Sequence, residues 1–486
     1  MSTRGLSKSR ILSGRQCPRR LYLEMYRPEL LEDADQPERR FAMGNAVGEV
    51  ARQLYPGGIL IGSVSDPAAA LEETVSVMQA RPDAVLFEPA FSHDGVLIRV
   101  DVLQPGRQGY RLVEVKAATR PKDYHYTDCA IQAWVMEEAG YPLERVELAV
   151  VDSAFVYKEP GNYRGLLAHH DLTEAVRPMV GEVAGWVGAL RDMLAGDCPD
   201  VAPGSQCHDP YECPFISHCA GPQAEYPVTT LYRGGQAAAS LREEGMEDIR
   251  DVPPDRLRSD IQQRQQRVVC SGQAECDPAL GEYLRALPYP RYYMDFETMQ
   301  FAVPIWLWTR PYEQLPFQWS VHVESGPGEV RHREFLDTSG EAPMRAFCES
   351  LIEVLGETGP ILVYSHFEKR ILNEMAIRFP ELAPRLHAIV ARLEDLLPLV
   401  RAHYYHPDMQ GSFSIKAVLP TVAPELDYRD LGEVQHGGAA QDAYLEMIDA
   451  ATSVERKQQL AEDLRRYCER DTEAMVVMVH HFQNTD

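Results

Sequence analysis

Apolar and polar positions alternate along this chain in two α/β patterns separated by a polar stretch. Residues 39–54 show helical spacing, and 66–79 repeat it with Leu71, Val75 and Met78 on one expected face. Three strand-like runs follow at 84–91, 95–103 and 110–116, parted by the turn-formers His93-Asp94-Gly95 and Pro105-Gly106. A helix near 126–139, a strand near 145–151 and a helical stretch over 163–195 lead into a Pro- and Gly-rich segment bearing cysteines. Residues 227–267 read as a small helical connector, broken at Gly245 and Pro253-Pro254. The second pattern places strands at 291–297, 316–323 and 330–335, a helix at 343–355, a strand at 361–364, a helix from Phe367 and a long closing helix over 454–482.

At 486 residues the chain exceeds one ordinary core. The patterns suggest domains over 1–224 and 284–486, with the connector at 225–283. Hydrophobic residues make up 45% and charged residues 25%, as in soluble globular proteins. No run approaches the roughly 18 apolar residues of a membrane span, and the first residues lack a secretory signal, so a cytoplasmic protein without membrane contact is expected.

A net charge of −25 counts against a nucleic-acid partner, since phosphate binding is largely electrostatic. The basic residues are unevenly placed, however. Between Ser2 and Leu23 stand Arg4, Lys8, Arg10, Arg15, Arg19 and Arg20 with no acid among them. Ten cysteines without a secretory signal argue against a disulfide framework. Cys207, Cys213 and Cys219 cluster in sequence, and Cys17 lies in the basic opening.

Two groups of residues have the makings of metal-dependent chemistry. On one strand Glu114 and Lys116 share a face while Val115 points to the other, and a hairpin with the preceding run brings Asp101 beside Glu114. Two carboxylates can hold Mg²⁺ or Mn²⁺, and an ammonium can orient water and offset charge in a transition state. Taken alone, E-x-K is a common surface ion pair. In the second group Asp295 and Glu297 flank Phe296 on a strand, so both acids share a face. Tyr467 and Asp471, four apart in the closing helix, stack on one side of it.

Asp101, Glu114-Val115-Lys116 and the following Gln132 resemble the PD-(D/E)XK core of RecB-like nucleases, which has a restriction-endonuclease-like α/β fold. The upstream Gly44-Asn45-Ala46-Val47-Gly48-Glu49 is similar to that family's first motif, with Gly48 where the family often has a His metal ligand. The resemblance makes Glu49 the upstream acid, and Met136 stands at the family's Tyr position. Cys17, Cys207, Cys213 and Cys219 bracket this core like the iron–sulfur staple of AddB and CRISPR-associated RecB-like exonucleases. Four thiolates suit a 4Fe–4S cluster or zinc, and the spacing is unlike the paired C-x-x-C of zinc ribbons.

Asp295-x-Glu297, Glu368 and Tyr467-x-x-x-Asp471 resemble the DEDDy exonucleases, whose fold is RNase H-like. Glu368 stands where that family usually has Asp, and Ser365 where Asn is usual; Asp395 is a second candidate acid or a helix cap. The paired resemblances imply a metal-dependent nuclease acting on single-stranded DNA, ends or flaps. They put Asp101, Glu114, Lys116, Asp295, Glu297, Glu368, Tyr467 and Asp471 in catalysis and Glu49, Asp101, Glu114, Asp295, Glu297 and Asp471 on metal. Arg15, Arg19, Arg20 and Gln132 are then expected on nucleic acid. A binding scaffold with weak sites, or RNA processing by the C-terminal domain, are the other readings.

Overall fold

The computed structural model describes residues 5–32, 37–63, 66–426 and 431–485, with 37–40 described by backbone alone. Arg4 therefore lies outside the described residues. Contacts divide the chain into two units, Met1–Gly221 with Phe301–Glu313, and Pro222–Gln300 with Gln314–Asp486. The connector thus clusters with the C-terminal unit, and a short arm from inside the C-terminal pattern belongs to the first.

Among the described residues the first unit holds nine strands, β1 (Leu6–Ser7), β2 (Ile59–Leu60), β3 (Leu86–Phe87), β4 (Ala90–His93), β5 (Val96–Arg99), β6 (Val102–Pro105), β7 (Tyr110–Lys116), β8 (Leu143–Val151) and β9 (Leu167–Asp171). They form a six-stranded sheet in the order β2-β3-β6-β7-β8-β9 and a three-stranded sheet in the order β1-β5-β4. Two of the three runs expected as single strands are broken, because the chain changes sheet inside each. Glu88 takes a positive φ of 55° between β3 and β4, and Val100-Asp101 separate β5 from β6. Asp101 therefore sits at a break rather than at a strand end.

Helix Asp123–Glu138 crosses from β7 to the parallel strand β8, and Cys129, Ile131, Val135 and Met136 on it are fully buried. In helix Pro67–Ala80 the buried positions are Ala70 and Thr74, whereas Val75 is exposed. The stretch expected as one helix over 163–195 contains β9, a strand of which only Leu167 is buried, before helix Thr173–Ala195. With His169, His170 and Asp171 polar, this strand has no apolar alternation to read.

In the second unit, β10 (Glu275–Cys276) pairs with a late short strand, and β11 (Arg291–Met299), β12 (Leu315–Glu324), β13 (Val330–Leu336), β14 (Ile361–Val363) and β15 (Leu393–Asp395) form the main sheet. Tyr404–Tyr405 is β16, the partner of β10. The main order is β13-β12-β11-β14-β15, with β11, β14 and β15 parallel and β12 and β13 antiparallel. The two faces follow from register. Phe296 lies opposite Trp319, and both meet helix Met344–Leu355, through the Phe347 ring at 4.9 Å and a 3.0 Å bond from Trp319 Nε1 to Ser350 Oγ. Asp295 and Glu297 lie opposite Ser320 and Gln318, which bond to Thr472 and the Leu464 carbonyl of helix Val454–Gln483. One face therefore packs on an apolar helix and the other carries acids toward the closing helix. No described helix is long and apolar enough to cross a membrane.

Candidate functional sites

In the first unit, pairing of Val102 with Val113 sets Asp101 beside Glu114, and Asp101 Oδ2 accepts from the Val115 N–H at 2.6 Å. Helix Asp123–Glu138 lays Asp128 and Gln132, one turn apart, over these residues. Gln132 Nε2 donates to Glu114 Oε2 at 2.6 Å and to Asp128 Oδ1 at 2.9 Å. Lys116 Nζ pairs with Glu114 and, at 2.8 Å, with Asp128 Oδ2. A second ammonium enters from the N-terminal segment, Lys8 Nζ lying 2.9 Å from Glu114 Oε1 and 2.8 Å from Asp128 Oδ1.

The charges govern one another. Burial works against Asp128 ionising, yet the ammoniums of Lys8 and Lys116 hold its carboxyl below the ordinary range. Asp101 is pushed up to about 8, by burial and then by the Glu114 charge. His125 is pushed down to about 4 by burial and by Lys116. This cluster opens on a cleft of about 730 Å³ lined by Asp101, Glu114, Lys116, Lys8, Tyr124 and Tyr211. A neighbouring cleft of about 1290 Å³ shares both lysines and adds Arg15, Arg20, Arg120 and Lys122. In a chain of net charge −25 this is a local concentration of cations beside aromatic rings.

Three residues expected at the site lie elsewhere than on the cleft. Glu49 is not brought to the cluster, because Gly48 and Arg52 face the cleft while Glu49, a step round the helix, is exposed and paired to Arg52. Gln132 is fully buried against Glu114, so it supports the cluster rather than reaching an outside ligand. Arg19 turns from the cleft to the cysteine cavity, where its Nη1 donates to the Val201 carbonyl at 3.4 Å. Sequence reasoning missed Lys8 and Asp128. The spacing Asp128-x-x-x-Gln132 carried a signal for the second, since it stacks both on one helix face; nothing local pointed from Lys8 to Glu114, 106 positions away.

Cys17, Cys207, Cys213 and Cys219 line one small cavity. Cys17 separates helices Lys8–Gln16 and Pro18–Tyr26, and the other three pack with Leu23 and Phe215. All four are free thiols, and burial pushes Cys213 and Cys219 up. Among the described residues, the set of three or more possible ligand atoms lying mutually within 4.8 Å is acidic, not thiol. Four thiols facing one small cavity are a donor set that could hold an iron–sulfur cluster or zinc through sulfur.

The second unit gathers the acidic set itself, Asp295, Glu297 and Asp471, with oxygens mutually within 4.8 Å. Glu297 and Asp471 are buried, and Asp295 is partly so. Glu368 comes to them on the first turn of helix Phe367–Arg378, just after β14, and its buried Oε2 has no hydrogen-bond partner among the described residues. Burial and the neighbouring Asp471 push Asp295 and Glu297 far above the carboxylate range. Burial, then Asp395 and Asp471, push Glu368 up to about 8. Tyr467 is buried one turn before Asp471, with Lys416 Nζ 5.0 Å from its ring. Asp395 caps helix Leu396–His403, accepting from Leu397 N–H at 3.0 Å, as the capping alternative expected.

Four carboxyls converging in a buried place repel one another, and an oxygen left without a donor there is costly. A divalent cation relieves both, since Mg²⁺ and Mn²⁺ take oxygen ligands.

Residues 292–414 match the model of a family described as a domain of unknown function, DUF2779. An uncharacterized protein of Mycoplasma pneumoniae (strain ATCC 29342 / M129 / Subtype 1), the MG366 homolog, is 27% identical over 207 residues, covering 38% of this chain. The match spans 31% of that relative's length. A solved structure described as the crystal structure of SSO0001 matches over 38% of this chain and 77% of that one, at 13% identity and a TM-score of 0.17.

Proposed function

We propose that the chain is a nuclease with two divalent-metal centres, a PD-(D/E)XK centre in the first unit and a DEDDy, RNase H-like exonuclease centre in the second. The observation that carries this reading is the convergence of Asp295, Glu297 and Asp471, with the orphaned Glu368 oxygen beside them. Bound there, divalent cations supply Lewis-acid polarisation of a phosphodiester and lower the pKa of the attacking water. The chain's own part is to hold the ions through Asp295, Glu297, Glu368 and Asp471, and to place the Tyr467 phenol beside them for orienting water. In the first unit Asp101 and Glu114 are the oxygen ligands, and Lys116 offsets charge developing on the phosphate.

Single-stranded DNA is the proposed substrate. The cleft carrying Arg15, Arg20, Arg120 and Lys122 with Tyr124 and Tyr211 combines cations for the backbone with rings for bases. Cys17, Cys207, Cys213 and Cys219 would hold a 4Fe–4S cluster that ties the N-terminal segment to the segment after helix Thr173–Ala195. The action is proposed to take place in the cytoplasm, in DNA repair or defence.

End-labelled DNA and RNA strands, incubated with the protein and Mg²⁺ or Mn²⁺, test the reading directly. Metal-dependent shortening is expected, with DNA preferred. Binding without cleavage of either strand would replace the enzyme by a scaffold, and preferential RNA shortening would move the substrate class. Anaerobically purified protein should carry iron and sulfide, about four irons per chain; stoichiometric zinc without iron would remove the cluster from the proposal.

A further inference from the structure

Lys8 has no part in the chemistry described so far, yet it is held in place on both sides. β1 pairs with β5 through Leu6 with Val96 and Ser7 with Leu97. Ser7 then caps helix Lys8–Gln16, its Oγ accepting from Arg10 N–H at 3.4 Å, so Lys8 is the first residue of that helix. Its ammonium consequently arrives at a defined point, bridging Glu114 Oε1 and Asp128 Oδ1 at 2.9 and 2.8 Å.

Both Glu114 oxygens are then engaged, Oε1 by Lys8 and Lys116 and Oε2 by the amide of Gln132. A divalent cation using Glu114 must share an oxygen already engaged by an ammonium or by the Gln132 amide, and a second positive centre on or beside an ammonium-bound carboxylate is repelled strongly in a buried place. Both ammoniums have a way out, Lys8 at 21% and Lys116 at 26% exposed and each lining both clefts, but Lys116 is already assigned to the phosphate, which leaves Lys8 as the cation free to be exchanged. A flexible four-carbon stem lets the ammonium swing without moving the helix.

We propose that Lys8 is a built-in counter-cation of the first centre. It neutralises Glu114 and Asp128 while no divalent ion is bound, competes with that ion for Glu114, and on its arrival is released into the cleft to meet the nucleic-acid backbone. Metal loading and phosphate contact are thereby linked through one side chain. The inference rests on the first cluster being a metal centre.

The test uses the full-length chain carrying Asp295→Asn and Asp471→Asn, which silences the second cluster. Mn²⁺ binding to this background is compared by calorimetry with Lys8→Met, Lys8→Gln and Lys8→Arg added. Both uncharged variants should bind Mn²⁺ about tenfold more tightly or better, a change of about 1.4 kcal/mol, while Lys8→Arg should stay near the background. A second measurement leaves Lys8 itself intact: acetylation of Lys8 by a water-soluble acylating reagent, read by mass spectrometry, should rise several-fold when Mn²⁺ is added. Unchanged or weakened Mn²⁺ affinity in the uncharged variants, or labelling indifferent to Mn²⁺, overturns the role of Lys8 and leaves the metal centre standing. Absence of Mn²⁺ binding in every variant overturns the centre and the inference together.

Discussion

The two carboxylate clusters differ in what balances their charge. In the first unit Lys8 and Lys116 pair with Glu114 and Asp128, so one carboxyl, Asp128, is held low while Asp101 rises. In the second, Asp295, Glu297 and Glu368 are all pushed upward by burial and by neighbouring carboxyls, the Lys416 ammonium offsetting this at Glu297 only in part. A cluster neutralised from within is stable without a ligand and must give up an ion pair to accept one. A cluster whose acids outweigh the ammonium beside them is strained until a divalent cation arrives. The second centre should accordingly bind divalent ions more tightly, and the first should respond more to what its lysines do.

The largest effect is expected from Asp295→Ala combined with Asp471→Ala. It should lower end-trimming of labelled strands about a thousandfold and remove the tighter Mn²⁺ site in calorimetry, since two of the four proposed ligands are lost. Retained trimming would take catalysis away from the second cluster. Next comes Lys116→Ala or Asp101→Ala, each expected to lower cleavage attributable to the first unit about a hundredfold, with the tighter Mn²⁺ site unchanged. Such cleavage is read in the Asp295→Ala, Asp471→Ala background, and undiminished rates there would reduce the first cluster to a structural ion-pair network.

A third expectation concerns pH. Glu368 and Asp101 titrate near 4 when unfolded and near 8 in the folded, metal-free chain, so between those values the folded state holds more protons and stability falls as pH rises. Asp128 has the opposite sign, its contribution being present above its unfolded pKa and lost as pH falls. Between pH 5 and 8 the Asp128 contribution is constant, so the first cluster brings one raised carboxyl, Asp101, to the slope and the second brings three, Asp295, Glu297 and Glu368. Metal-free protein should lose about 5 °C of Tm between pH 5 and 8, and Mn²⁺, or Glu297→Gln combined with Glu368→Gln, should flatten that slope more than Asp101→Asn does. Equal flattening by both would erase the distinction between the clusters.

The smallest effect tests the arm Phe301–Glu313, which lies in sequence between β11 and β12 but belongs to the first unit. Ala302 packs with Val47, Val113 and Ala149, and the Tyr312 hydroxyl donates to the Ala117 carbonyl at 2.8 Å, next to Lys116. Tyr312→Phe should cost about 1 kcal/mol and slow first-unit cleavage a few-fold while leaving trimming by the second unchanged. A fragment beginning at residue 284 would carry this arm away from its packing, so a separately expressed second unit should be made with residues 301–313 shortened.

Much of the second site was legible in sequence because its signals are periodic. Asp295-Phe296-Glu297 alternate, and β11 sends the acids one way and Phe296 the other; Tyr467 and Asp471 are one helical turn apart, and both are buried on the closing helix. In the first unit Glu114 and Lys116 were readable for the same reason. Lys8 was not, because a long side chain reaching across 106 positions leaves no local trace. The breaks at Glu88 and Val100-Asp101 were hidden too, since each half continues an apolar run and only the choice of sheet separates them.

Sequence by itself determined the local geometry: which residues share a strand face or helix side, where the capping and turn residues stop each element, and that acids and cysteines recur in groups. Tertiary structure decided which groups meet and with what charge around them. It turned Glu49 outward and Arg19 toward the cysteines, buried Gln132 against Glu114, brought Lys8 to one cluster, and at the other gathered acids whose mutual repulsion outweighs the nearby Lys416 ammonium. The physical reason is range. Backbone periodicity acts over a few residues, whereas burial and Coulomb interaction depend on distances in space that only the folded chain sets.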